Sequence, residues 1–178
     1  MSKVMNEQDV QIGFVSRPLT VLVGLLLLQG ALFYQTYWSM VEIWWRSETF
    51  AHGFFIFPIT AYLIWRKRKS LNQVAIQNDW RALIVLAGLS FFWLMALTVD
   101  VLVVQQFAVV MMLPALVWLC LGPKMLLALA FPLAFLLFAV PFGEFLVYPM
   151  MEFTASFTVN AIRIVGIPVF WEGIYFTL

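Results

Sequence analysis

Two side chains in this sequence have the chemistry of a covalent catalyst, Cys120 and His52, the single cysteine and the single histidine of the chain. A cysteine attacks as its thiolate, and an imidazole within hydrogen-bond reach is what would generate it. Their placement argues against such a pair. Cys120 closes one apolar run just ahead of Gly122-Pro123-Lys124, and His52 opens another just after Glu48. If both runs cross a bilayer, most of a hydrocarbon core of roughly 30 Å separates the two residues. No catalytic residue is therefore assigned, and Cys120 reads as a small buried hydrophobe. His52 has two readings. Either Glu48 fixes its charge or tautomer at an outer groove, or it is an interfacial histidine bonded to a loop carbonyl.

A third polar group lies in FLVYPMMEFTASFTVNAIRIV, residues 145–165. At about 100° per residue, Tyr148, Glu152, Ser156, Asn160 and Arg163 share about one third of a helix circumference. That stripe is either a solvated face or one wall of an outer groove, with Glu152 and Arg163 contacting a peptide. The candidate groove residues are thus Glu48, His52, Glu152 and Arg163. One cysteine excludes an internal disulfide, and no ligand cluster has metal-site spacing, so no metal and no cofactor are expected.

The elements that must hold these residues are membrane helices. The 178 residues are 64% hydrophobic and 11% charged, and the mean hydropathy is +0.97. A soluble domain is roughly half apolar and a quarter charged, so the composition excludes one. The clearest run is SETFAHGFFIFPITAYLIWRKRK, residues 47–69, where a polar approach and His52 lead into an apolar span that stops at Arg66-Lys67-Arg68-Lys69. In hydrocarbon only a helix pairs all its own amides, and a basic stop snorkels to the cytoplasmic headgroups. That cluster reads as a topology anchor and not as a nucleic-acid patch.

Residues 1–17 then form a polar cytoplasmic tail, and spans are expected at about 18–37, 50–65, 82–99, 101–121 and 125–140. Pro18 suits a first helical turn. Tyr34, Tyr37, Trp38, Trp44 and Trp45 form an outer aromatic belt, with Glu42, Arg46 and Glu48 in the loop beyond it. Asp100 is a one-residue outer turn. Eight of the ten basic residues (Lys3, Arg17, Arg66, Lys67, Arg68, Lys69, Arg81 and Lys124) fall on the cytoplasmic side of this layout. The inverted layout would put that excess outside, against the positive-inside bias.

Residues 142–165 are ambiguous between a sixth span and an amphipathic helix in the outer interface. The nine Leu, Ile, Phe and Val residues of 145–165 contribute roughly −0.3 to −0.6 kcal/mol each to insertion, and each central charge costs about +2.5 to +3.5. The near-zero sum favours the interface. Residues 166–178, GIPVFWEGIYFTL, are β-branched and aromatic on both sides of Glu172-Gly173 and read as the start of a hairpin. An apolar strand ending at Leu178 would be an uncovered edge, so the native chain is expected to continue.

At FAHGFFIFPITAYLIWRKR and GIPVFWEGIYFTL the chain resembles the exosortases, multispanning membrane enzymes related to archaeosortases. The resemblance implies an all-α polytopic protein of the bacterial inner membrane with a cytoplasmic amino terminus. It also implies a cysteine peptidase or transpeptidase acting on exported proteins that carry a carboxy-terminal PEP-CTERM-type sorting signal. The family's Cys-Ser-Gly nucleophile motif, and its later arginine and histidine, match no position here, so the chain is expected to be an amino-terminal portion. The competing reading is a non-enzymatic membrane subunit, a transporter half or an assembly scaffold. It expects inward-facing ionisable residues within the spans, and the first five runs nearly lack them. Lipid and exported protein, not nucleic acid, are the expected partners.

Overall fold

A computed structural model describes the backbone of residues 7–164, 170–172 and 175–177, with side chains over 17–143 and 148–164. The chain divides into two units, one ending at Pro141 and the other starting at Phe142.

The first unit is helical, and its first apolar run is broken. Helix α1 covers Glu7–Leu32 and so takes up residues expected in the polar tail; α2 covers Tyr34–Arg46, and the two axes meet at 74°. The expected unbroken 18–37 span and the loop beyond it are corrected accordingly. The break sits at Phe33, with φ −106° and ψ 25°, and neighbouring helices pin it. The Phe33 ring meets Trp93 edge-on at 4.8 Å, and Trp93 Nε1 donates to Thr36 Oγ1 at 3.1 Å. Gln29 spans the bend, accepting from Tyr37 Oη at 3.0 Å and donating to the Val109 carbonyl at 3.0 Å. The backbone ladder is kept at Phe33 itself, whose N–H donates to Gln29 O at 3.0 Å and whose carbonyl accepts from Tyr37 N–H at 3.1 Å.

Helix α3, Gly53–Leu71, runs through Pro58 and carries the whole basic cluster in its last turns. Helices α4, Ala82–Thr98, and α5, Leu102–Leu121, are joined at Asp100, whose φ is +55°. Val101 N–H reaches back to the Ala96 carbonyl at 2.9 Å and Asp100 N–H to Leu97 at 3.4 Å. This is the Schellman closure, with Asp tolerating the left-handed position that Gly usually takes.

Eleven of the twenty residues of α5 are buried, and the core around it includes Met40, Trp44, Ile56, Leu133 and Leu136. Its last carbonyls are covered by the 72–81 connection. Gln77 N–H donates to Leu121 O at 3.3 Å, Asp79 N–H to Leu119 O at 3.2 Å, and Trp118 Nε1 to Asp79 Oδ2 at 3.1 Å. Gly122 makes this possible. Its φ of +90° belongs to a region that side chains avoid, and a Cβ there would fall on the Gln77 backbone.

The run expected as a fifth span is broken as well, into α6, Pro123–Ala128, α7, Ala130–Phe135, and a 3-10 turn, Leu136–Ala139. Pro132 has no N–H to offer the Ala128 carbonyl four residues earlier. Lys67 Nζ of α3 donates to that carbonyl instead, at 2.9 Å. At the other end of α3, Trp44 Nε1 donates to the Ala139 carbonyl at 2.9 Å. The start of α3 thus lies level with the end of the broken run, so the two are antiparallel. Among the described helices α5 alone is long and apolar enough to cross a membrane by itself; the bent α1–α2 pair qualifies together, and α4 and residues 130–139 are shorter apolar helices.

In the second unit α8 covers Glu144–Ile164 and includes Pro149. Strands β1, Phe170–Glu172, and β2, Tyr175–Thr177, pair antiparallel with Trp171 opposite Phe176, and β2 packs on α8. Gly166-Ile167-Pro168-Val169 and the Gly173 turn lie outside the described residues.

Candidate functional site

The turn between α2 and α3 is a stack of short backbone bonds. Ser47 N–H donates to Ile43 O, Phe50 N–H to Ser47 O, Gly53 N–H to Phe50 O and Phe55 N–H to His52 O, at 2.9 to 3.2 Å. Phe50 is buried and roots the turn, while Glu48 and His52 are exposed. His52 Nδ1 lies 3.0 Å from the Thr49 carbonyl. A carbonyl only accepts, so in the neutral ring Nδ1 carries the proton and Nε2 is left as the acceptor. The turn therefore presents a ring of fixed tautomer. Glu48 does not fix it: among the described residues the ion pair is Arg46 with Glu42, one turn apart on α2.

Gly53 follows His52 for a packing reason. A Cβ at Gly53 would fall inside the Trp44 indole, whose ring also meets Phe54 and Phe57 at 5.4 and 6.1 Å. The buried indole donates its N–H to the Ala139 carbonyl at the end of the 3-10 turn. Trp44, Gly53 and Ala139 together lock the turn to the bundle. The sequence reading took Trp44 for part of an aromatic belt and missed this role. The signal available was a glycine placed directly before a long apolar run.

On α8 polar and apolar side chains are exposed alike, Met150, Phe153 and Phe157 among the apolar ones. Tyr148, Glu152, Asn160 and Arg163 are exposed and Ser156 is half-buried, while Ala155 and Val159, four apart, are buried. Glu152 and Arg163 are about 16 Å apart along the axis at 1.5 Å per residue. They make no ion pair with each other among the described residues. Cys120 is buried in the last turn of α5 with no hydrogen bond to His52. No group of three His, Cys, Asp or Glu among the described residues could hold a metal ion.

A second polar constellation, absent from the sequence reading, is buried in the first unit. Besides Gln29, it contains Thr36, Gln105 and Gln106, all nine-tenths or more buried. Gln105 Nε2 adds a second donor to the Ala96 carbonyl at 3.3 Å. Ser39 Oγ donates to Thr36 O at 2.7 Å and accepts from Gln106 Nε2 at 3.0 Å. That leaves Gln106 Oε1 buried without a donor, as is Thr60 Oγ1. In hydrocarbon such amides bond helix to helix, and here they join α1, α2, α4 and α5. Gln105-Gln106, two amides inside an otherwise apolar run, was the available clue.

The family model described as transmembrane exosortase (Exosortase_EpsH) matches residues 44–178, a segment that opens on Trp44 and contains the His52 turn, the broken run and α8. No curated protein and no solved structure matches the chain.

Proposed function

Because the chain belongs to the transmembrane exosortase family, we propose that it supplies the membrane scaffold and part of the substrate groove of a sorting peptidase. The reaction is cleavage or transpeptidation of carboxy-terminal PEP-CTERM-type signals on exported proteins, at the periplasmic face of the bacterial inner membrane. The observation that carries this reading, beside the family match, is the exposed His52 ring of fixed tautomer on a turn locked by Trp44, Gly53 and Ala139.

The layout assigns five crossings with a cytoplasmic amino terminus. The antiparallel course of α3 and the broken run supports it, with Lys67 beside Ala128 at one end and Trp44 beside Ala139 at the other. So does the sorting of eight cations to one side. In the same reading α8 lies in the outer interface with Glu152 and Arg163 toward the peptide, and β1 and β2 begin a periplasmic hairpin.

The test is a cell in which the whole encoded protein is deleted and then restored, with a periplasmic reporter ending in a sorting signal. Processing to a shorter reporter should vanish on deletion and return with the gene. His52→Ala should slow it by about tenfold or more, the scale of a lost positioning or proton-transfer contact. A reporter processed equally with and without the gene would remove the peptidase reading. Full processing by His52→Ala would remove His52 from the groove.

A further inference from the structure

The segment from Tyr34 to Arg46 was expected to finish one span and begin a loop, yet it folds as a helix set at 74° to α1. One face of α2 is buried: Thr36, Met40 and Trp44, spaced by four. The opposite face carries Tyr34, Trp38, Glu42, Trp45 and Arg46, all exposed, with Trp38 at 67% and Trp45 at 82%. Trp38 and Trp45 are seven apart and therefore lie within about 20° of each other around the axis.

Membrane helices tilt by about 20° on average. With α1 standing across the bilayer at that tilt, α2 lies between about 55° and 95° from the membrane normal. At 74° its length of about 20 Å descends through only about 5 Å of depth. A helix so placed keeps its outer face at one level. The residues on that face suit one level of a bilayer, since Trp and Tyr prefer the headgroup boundary. Glu42 and Arg46 neutralise each other there while remaining exposed, with side-chain exposures of 46% and 75%. The same two charges would face hydrocarbon if α2 continued the crossing, a placement that membrane helices avoid.

We propose that α2 is a surface helix lying in the plane of the membrane, with the face of Tyr34, Trp38 and Trp45 docked into the boundary between headgroups and acyl chains. Its occupant is lipid, held by aromatic and apolar contact and not by net charge, because the one charge pair on the face cancels. The adjoining turn with Glu48 and His52 is thereby carried at headgroup level. This inference rests on the family's membrane location and not on the peptidase activity, so either can fail without the other.

Nitroxide labels placed at Trp38→Cys and Trp45→Cys, each in a background where Cys120 and any other cysteine of the full protein are replaced by Ala, read depth in phosphatidylcholine vesicles. Phe91→Cys, on the exposed face of α4, gives the hydrocarbon reference. The ratio of oxygen to aqueous nickel-chelate collisions should agree within about threefold between positions 38 and 45, as expected at the shallow depth of an interfacial helix. Both ratios should lie clearly below that at 91, and adding anionic lipid should leave them unchanged. A larger difference between 38 and 45 would mean that α2 crosses. Two ratios equal to that at 91 would mean a re-entrant helix, and nickel-dominated collisions unaffected by the presence of lipid would mean that the face stands in water. Dependence on anionic lipid would overturn the charge-independent contact.

Discussion

Helices α4 and α5 follow each other across three residues centred on Asp100 and are similarly apolar, yet they are used in opposite ways. In α4 the buried positions are Ala82 and Ala96, while Ile84, Phe91, Phe92, Leu94 and Leu97 are exposed. In α5 the buried set includes Val109, Val110, Met112 and Leu116 together with both glutamines. A helix apolar on every side belongs in a core or in lipid. The large side chains of α4 therefore face outward from the unit, and those of α5 face protein. The polar residues mark which is which: α5 turns its amides inward, where other helices can bond them, and α4 has few to hide.

Substitutions can break that contrast, and the largest effect belongs to α5. Met112→Ala, at a site 2% exposed, should destabilise the bundle by about 2–5 kcal/mol through the cavity it leaves, read as unfolding free energy in micelles. A cost under about 1 kcal/mol would mean that α5 faces outward as α4 does. Next comes the end of α5, where Gly122→Ala imposes a side chain at φ +90° against Gln77. A loss of about 1–3 kcal/mol is expected from that strain, with faster amide exchange at Gln77 and Asp79. Unchanged exchange would show that the 72–81 connection does not close the helix. The smallest effect is expected in α4: Phe92→Leu should change stability by less than about 0.5 kcal/mol. A large loss would reveal a partner on that face.

Much of the helical layout was legible because apolar length and breakers are local signals. Residues 82–98 and 102–121 fold as helices within a residue or two of the runs expected there, and the expected one-residue turn at Asp100 is a three-residue connection, Val99 to Val101, with Asp100 at its centre. The breaks were less legible for different reasons. Nothing at Phe33 announces a bend, because the partners that Gln29 and Thr36 find across it, Val109 and Trp93, come from other parts of the chain. Pro132 does announce a lost hydrogen bond, but its outcome depended on Lys67, 65 residues earlier in the sequence.

The candidate site divides in the same way. The stripe on α8 is a matter of helical period, which the helix over Glu144–Ile164 supplies, but the exposure of Met150, Phe153 and Phe157 beside it sets no polar face apart. Glu48 and His52 are neighbours in sequence, but the turn gives the ring to the Thr49 carbonyl instead. Proximity along the chain could suggest the pair without fixing its geometry. Trp44 over Gly53 was out of reach for a related reason, since no local rule says that this indole will spend its N–H on a carbonyl 95 residues away.

The Lys67 contact also gives one side chain two duties. Its amine belongs to the basic stop of α3 and at the same time fills the acceptor that Pro132 leaves open at the Ala128 carbonyl. Shortening that side chain would therefore undo a backbone bond in residues 123–139 without altering any residue of that run.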